Sequence, residues 1–132
     1  MAYLKPPLFT RKVFNPVAMR TGIGGSVTLA VARRRSGTMQ SVPVVPIEHD
    51  GRRYVVSARG ESDWVRNARA AGQVELRERG RGQRFAAVEV PVDERGPVIA
   101  AYRAKAGRAV APYWKQLPGP ADHPTFRLDP LS

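Results

Sequence analysis

The sequence predicts a mainly β (α+β) fold, a small barrel of about six antiparallel strands with two to three peripheral helices. Six short apolar runs of β-type composition alternate with turn residues along the chain. Asp50-Gly51 and Gly80-Arg81-Gly82 each separate two of these runs and mark hairpins. Because short antiparallel strands with few helices favour a closed sheet, we expect the helices to cover the ends of a barrel.

The length and composition indicate one globular domain over residues 1–132. Apolar residues make up 42% and charged residues 25% of the chain. No apolar run approaches the roughly 20 residues needed to cross a bilayer, and no export signal is visible. Because there is no cysteine, disulfides and thiolate chemistry are excluded, and we expect a cytoplasmic protein.

The net charge is strongly positive. Lysine and arginine total 22 against 11 acidic residues, which gives a formal charge of +11. Such a charge attracts polyanions: nucleic acid, an acidic membrane surface or a phosphorylated cofactor.

The N-terminal quarter is expected to hold an irregular lead-in and one helix. Residues 1–9 are rich in proline, and residues 10–21 have apolar side chains at helical spacing with basic ones among them. Such a segment either lies on a membrane surface or packs across the mouth of the domain, and the second interpretation is favoured.

The next part reads as three strands at residues 26–34, 41–50 and 52–58. Pro43 and Pro46 indicate that the second strand is an edge strand or carries a bulge. A helix is expected from about Ser62 to Ala71, stopped by Gly72.

The C-terminal half is expected to add a hairpin, a helix and a last strand. The hairpin strands are residues 73–79 and 83–90, and the helix runs from the Pro91 region to about Ala106. Residues 110–124 read as irregular and aromatic, and residues 125–130 as the final strand.

The junction between the third strand and the first of these helices is a candidate anion site. Helix starts carry unpaired N–H groups, and the segment Ser57-Ala58-Arg59-Gly60 adds a hydroxyl, a cation and a close-approach glycine. Alternatively, Ser62 or Asp63 only caps the helix while Arg59 pairs with Glu61 in solvent. The run of arginines at residues 33–35 offers a partner clamp if the two loops meet at one rim.

Other chemistries find little support. His49 and His123 lack neighbours at metal-ligand spacing and are expected on surface loops, so we expect no metal. No nucleophile elbow, phosphate loop or paired-carboxylate motif is present, so no catalytic residue is assigned.

The segment "ARRRSGTMQSVPVVPIEHDGRRYVVSARGESDWVRNARAAGQVEL" resembles the deazaflavin-dependent nitroreductase family. Members of that family are flavin/deazaflavin oxidoreductases with a split β-barrel. The basic-Ser-Gly turn followed by a proline-containing strand matches residues 34–44, and the strand before a Trp-and-Asn helix matches residues 55–67. The ending "HPTFRLDPL" also resembles the family's last strand, so the resemblance covers roughly residues 10–130.

The resemblance implies a bound deazaflavin coenzyme, F-420, with flavin mononucleotide (FMN) as the alternative. Arg35, with Arg34 beside it, would hold the acidic tail. The cofactor-binding residues implied are Arg34, Arg35, Ser36, Gly37, Gln40, Val42, Pro43, Val44, Ser57, Ala58, Arg59, Gly60, Trp64 and Asn67. The substrate pocket would include Tyr102, Tyr113 and Trp114. Ala58 and Gln40 depart from relatives that have a hydroxyl residue and a basic residue at these positions.

The implied function is hydride transfer from the reduced coenzyme to an electron-poor small molecule: a quinone, an enone or a nitro compound. Two alternatives stay open. One is a non-catalytic split barrel that binds a cofactor or another anionic amphipath. The other, ranked last, is a basic barrel for single-stranded nucleic acid, and no specific nucleic acid is expected. A homodimer through a sheet edge and a location peripheral to the inner membrane face are also left open.

Overall fold

A computed structural model describes residues 26–131, and within that range the chain forms seven β-strands and three α-helices. The predicted lead-in at 1–9 and helix at 10–21 lie outside the described residues. The strands are β1 (Val27–Ala32), β2 (Met39–Val44), β3 (Ile47–His49), β4 (Arg52–Val56), β5 (Gln73–Glu78), β6 (Arg81–Glu89) and β7 (Thr125–Pro130). The helices are α1 (Asp63–Ala71), α2 (Gly96–Ala106) and α3 (Ala111–Gln116).

All seven strands belong to one antiparallel sheet in the order β2-β1-β5-β6-β7-β4-β3. The two outermost strands, β2 and β3, are consecutive in the chain and are joined only by Val45 and Pro46. Three Cα–Cα steps reach at most about 11 Å, so the two edges of the sheet must come together at this link. The sheet is therefore curled into a split barrel, and the predicted fold class is confirmed.

The predicted single strand at 41–50 is wrong, because it is two strands on opposite edges of the sheet. Proline has no N–H for a ladder bond, and Pro46 stands at the point where β2 ends and the chain crosses to β3. This break is why the sheet has seven strands and not six. The inference from Pro43 and Pro46 that this part of the chain lies at an edge is confirmed.

Both hairpin turns use residues with positive φ, as two-residue turns require. Asp50 and Gly51 have φ of 51° and 75°, which confirms the first hairpin signal. In the second hairpin the turn is at Arg79 and Gly80, with φ of 53° and 79°, one residue earlier than predicted.

The helices differ from the prediction at two places. Helix α1 matches it and ends at Gly72, whose φ of 72° closes the helix. Helix α2 begins only at Gly96, because Val92–Glu94 forms a separate 3-10 turn. The stretch 110–124 is not wholly irregular, since α3 lies in it with a proline in the first turn and a buried Trp114.

Two apolar clusters hold these elements together. In the first, Trp64, Val65 and Ala68 of α1 pack on the concave face of the sheet, against residues that include Leu29 and Phe126. The second cluster lies under α2 and α3 and contains Ile47, Val56, Val98, Ile99, Tyr102, Val110 and Trp114. Within residues 26–131, none of the helices is long and apolar enough to cross a membrane.

Candidate cofactor-binding site

The first loop, residues 33–38, is a preformed turn that presents three arginines. The Arg33 N–H donates to the Thr38 carbonyl at 2.8 Å, and the Gly37 N–H donates to the Arg33 carbonyl at 2.9 Å. Gly37 has a φ of 78°, a conformation that glycine adopts without strain. The Ser36 hydroxyl lies 2.8 Å from that of Thr38. The loop geometry is thus fixed by the chain itself.

Asn67 on α1 connects this loop to the helix. Its Oδ1 accepts from the Arg34 backbone N–H at 3.1 Å and from the Arg34 guanidinium at 2.7 Å. Its Nδ2 donates to Gln40 Oε1 at 2.7 Å. Asn67 is buried, and Asp63 one turn earlier lies 3.7 Å from the same guanidinium. Arg34, Gln40 and Asn67, all predicted site residues, are therefore in contact.

These residues border a shallow cleft of about 280 Å³. Its lining residues are Arg33, Arg34, Arg35, Ser36, Gln40, Asp63 and Asn67. Arg35 lines the cleft, and among residues 26–131 its side chain forms no ion pair and no hydrogen bond. Three cations against one carboxylate favour an anionic group here.

The second loop, residues 57–60, is organised by Ser57. The buried Ser57 hydroxyl donates to the Gly60 carbonyl at 2.6 Å, and its N–H donates to the Pro124 carbonyl at 2.9 Å. Gly60 has a φ of 87°. The Ser57 hydroxyl therefore closes the loop and is already engaged, while the side chains of Ala58 and Arg59 are half-buried.

Arg59 lies near the second apolar cluster and does not line the arginine cleft. Ala58 packs against the second apolar cluster, and the charge of Arg59 acts on Tyr102 in that cluster. Arg59 is not among the residues that line the cleft of Arg35. The two loops are joined through α1, whose residues Asp63 and Asn67 reach the first loop.

The alternative pairing of Arg59 with Glu61 in solvent is wrong. Glu61 is buried and accepts two hydrogen bonds from Arg69, at 2.6 and 2.8 Å. Arg69 also donates twice to Glu89, at 2.7 Å each. Hydrogen bonding from Arg69 holds the pKa of the Glu61 carboxyl below its ordinary value, against the opposing effect of burial.

Ser62 is the N-cap residue of α1, yet its hydroxyl makes no capping bond. The oxygen is buried and has no hydrogen-bond partner among the described residues.

Of the residues expected beside the cofactor ring, some are buried in the core and others are accessible. Val44 and Trp64 are buried in the first cluster, where the Trp64 ring lies 5.9 Å from that of Phe126. Val42 and Pro43 are half-buried on the edge strand β2, so they are the accessible part of this predicted surface.

The three residues expected in the substrate pocket come together. Tyr102 and Trp114 are buried with ring centroids 5.9 Å apart, and Tyr113 packs against them. Burial, with Tyr113 adding to it, raises the pKa of Tyr102 to about 12. The Tyr102 hydroxyl therefore stays protonated and can donate a hydrogen bond at neutral pH.

His123 is not on a surface loop, so that expectation is wrong. It is fully buried, and its ring stacks on Trp114 with centroids 3.8 Å apart and planes 9° from parallel. His49 is partly exposed and lies 3.5 Å from Asp50. Within residues 26–131 no three side chains of the metal-binding types lie close enough together to hold a metal ion.

A larger cavity, of about 1200 Å³, lies elsewhere. It opens at the end of the barrel that carries both hairpin turns, away from the first loop. Its charged lining mixes Glu48 and Glu78 with basic residues, and it contains none of the predicted site residues. We therefore place the candidate site at the smaller arginine cleft, where the predicted residues meet.

The donor chemistry of the cleft fits a deazaflavin coenzyme. The phosphate and acidic tail of F-420 require cations, and Arg33, Arg34 and Arg35 supply them. Arg33 and Asp63 line the cleft although the cofactor-binding set predicted from the sequence does not include them. Arg33 belongs to the same basic run, and Asp63 lies four residues before Asn67 on one face of a helix.

Comparison with known proteins shows the family to which the chain belongs. The profile of the family described as F420H(2)-dependent quinone reductase matches residues 10–116. No match was found among curated proteins. A solved F420-H2 dependent reductase, FDR-A, shares 21% identity and a TM-score of 0.59, with 79% of this chain and 93% of that chain covered.

Two other solved structures show how widely the fold is used. The heme storage protein HutZ from Vibrio cholerae has 17% identity and a TM-score of 0.62, with 89% of this chain and 88% of that chain covered. A domain-swapped dimer has 17% identity and a TM-score of 0.59, with coverage of 95% and 100%. At these identities the likeness concerns the fold alone. The family profile spans most of the sequence, and on that basis the chain belongs to the F420H(2)-dependent quinone reductase family, whose members are reductases that use the deazaflavin coenzyme F-420.

Proposed function

We propose that this protein binds reduced F-420 with its acidic tail on the Arg33–Arg35 cleft and reduces a quinone. The observation that carries the proposal is the cleft itself: three arginines lie on a fixed turn, and the buried Asn67 holds one of them, Arg34. The reduced coenzyme supplies a hydride from a ring carbon, and a quinone that accepts it with one proton becomes a hydroquinone.

The protein's contribution is placement. Arg35 and Arg34 would hold the anionic tail, and the edge strand β2 would offer Val42 and Pro43 to the ring. Tyr102, which keeps its proton, would donate a hydrogen bond to an acceptor oxygen. No catalytic base is required for hydride delivery.

The first test is a titration of the purified protein with F-420 and, separately, with FMN, followed by tryptophan fluorescence. We expect F-420 to bind and Arg35→Ala to weaken it about tenfold, since a charge-assisted contact is lost. Arg84→Ala is the matched control: it removes an equal charge from an exposed residue outside the cleft. If the wild type binds neither cofactor, the proposal is refuted. If Arg35→Ala and Arg84→Ala lower the F-420 affinity equally, binding depends on net charge and not on the cleft.

Turnover is measured next with a soluble naphthoquinone, from the loss of reduced F-420 absorbance under anaerobic conditions. Steady oxidation dependent on the quinone supports a reductase. Tight binding without oxidation would instead identify a passive cofactor-binding barrel.

The oligomeric state belongs to the same proposal. The exposed edges of the sheet are β2 and β3, and a relative of the same fold is a domain-swapped dimer. We propose a homodimer formed through a sheet edge, with light scattering after gel filtration as the test; a monomer mass at micromolar concentration would exclude it.

A further inference from the structure

The buried ring of His123 lies between the loop 57–60 and the end of α3. Its Nδ1 is 2.9 Å from the Ser57 carbonyl oxygen, and its Nε2 is 2.6 Å from the Leu117 carbonyl oxygen. The side chain has no exposure to solvent. Each ring nitrogen thus faces a backbone acceptor.

Two acceptors pose a problem for a neutral imidazole, which has one N–H. Its second nitrogen would direct a lone pair at a carbonyl oxygen within hydrogen-bond distance. A ring with a proton on each nitrogen satisfies both carbonyls. The indole of Trp114, stacked at 3.8 Å, offers its electron-rich face to such a cation.

We propose that His123 is protonated on both ring nitrogens and is the positioning residue of the loop 57–60. That the loop 57–60 contacts the cofactor is what the family resemblance implies for Ser57 to Gly60, and this part rests on the proposed function, whereas the bonding of His123 does not. Through this bond His123 sets the position of Ser57, and with it that of Arg59.

The hydrogen bonds around Ser57 show how His123, two residues before β7, positions the loop. His123 donates to the Ser57 carbonyl, and the Ser57 N–H donates to the Pro124 carbonyl, so two adjacent residues hold both backbone polar groups of Ser57. The Ser57 hydroxyl then fixes the Gly60 carbonyl at 2.6 Å. Only Ala58 and Arg59 remain between these anchors.

The charged groups around His123 are mostly cationic. The Arg95 guanidinium lies 3.5 Å from the His123 carbonyl, and that of Arg103 lies 5.1 Å from the Trp114 ring centre. The neighbouring Asp122 accepts a bond from the Gly119 N–H. Among the described residues no carboxylate forms an ion pair with His123, so the carbonyls and the indole must hold its charge.

The protonation is tested on the wild type by ¹⁵N-detected NMR of the histidine rings at neutral pH. We expect the two nitrogens of one ring to show equal, protonated-type shifts and slow exchange with solvent. One protonated and one bare nitrogen in both histidines would overturn the proposal, whether or not any variant folds or any cofactor binds.

The positioning is tested with two matched variants. The amide nitrogen of an asparagine falls near the place of Nδ1, and that of a glutamine near the place of Nε2. We expect His123→Asn to keep the slow hydrogen exchange of residues 57–62 and F-420 affinity within about twofold, whereas His123→Gln speeds the exchange and weakens F-420 about tenfold.

A general loss of stability would instead affect both variants alike, and that result would overturn the positioning role. Wild-type protein that fails to bind F-420 refutes the proposed function alone, because hydrogen exchange still reports on the loop.

Discussion

A single oxygen of Asn67 holds Arg34 at two points, with its Oδ1 3.1 Å from the backbone nitrogen and 2.7 Å from the guanidinium of that residue. One buried amide therefore fixes both the start of the first loop and the direction of a side chain that lines the cleft. This coupling makes the helix α1 part of the site, although Asn67 itself is buried.

Asn67→Ala should weaken F-420 binding about tenfold and reduce the free energy of unfolding by about 1–3 kcal/mol, because buried partners lose their bonds. Fluorescence titration and urea unfolding measure the two effects. Asn67→Asp is the control: it keeps an acceptor for Arg34 and loses the donor to Gln40, so its affinity should stay closer to the wild type. An alanine variant with unchanged affinity would contradict the role of Asn67.

Arg69→Ala should reduce the free energy of unfolding by about 3 kcal/mol, because it leaves the buried Glu61 without its bidentate partner. Arg66→Ala, which removes an exposed arginine from the same helix, should change it by no more than about 0.5 kcal/mol. Chemical denaturation measures the free energy of unfolding of both variants. Equal losses in the two would show that the Glu61–Arg69 contact contributes little to stability.

The Glu61 carboxyl should also make stability fall in acid. Its pKa in the fold lies below the ordinary value of 4.5, mainly because Arg69 hydrogen-bonds to it. The unfolded chain binds this proton first, so the contribution is complete above that value and disappears as the pH falls below it. The stability difference between the wild type and Glu61→Gln should therefore shrink as the pH is lowered. A constant difference would exclude the effect.

At the alkaline end, Tyr102 should make stability fall as the pH rises from 10 towards its pKa of about 12 in the fold. The unfolded chain loses this proton first, so the loss grows with pH and amounts to about 2–3 kcal/mol. Tyr102→Phe should remove this part of the decline and the latest step in the ultraviolet titration of phenolate. A variant that titrates like the wild type would show that the pKa of Tyr102 is not raised in the fold.

Sequence patterns predicted the local elements well, since strand composition, the Asp50-Gly51 turn and the Gly72 stop act within a few residues. They missed the break at Pro46, because one strand with a bulge and two strands on opposite edges have the same local pattern. They also missed α3, whose six residues depend on the burial of Trp114 more than on helix-forming composition.

The site was predictable where it lies close in sequence or on one helix face, as for Arg34, Arg35 and Asn67. The positions of Arg59 and His123 depend on contacts across the fold. His123 precedes a proline and resembles a loop residue, yet its partners are Ser57 and Leu117, and nothing in the local sequence reports them. Glu61 likewise finds Arg69 and not the adjacent Arg59.

The sheet order also has a consequence for biosynthesis. β7, the last of the seven strands to leave the ribosome, lies between β6 and β4 in the middle of the sheet. Until β7 emerges, the sheet consists of two groups of strands, β3–β4 and β2-β1-β5-β6, which share no hydrogen bonds. Each group exposes the strand that later pairs with β7, namely β4 in one and β6 in the other. The nascent chain therefore depends on β7 to join the two parts of the sheet. A chain whose synthesis stalls before residue 125 would hold two separate groups of strands with open, aggregation-prone edges.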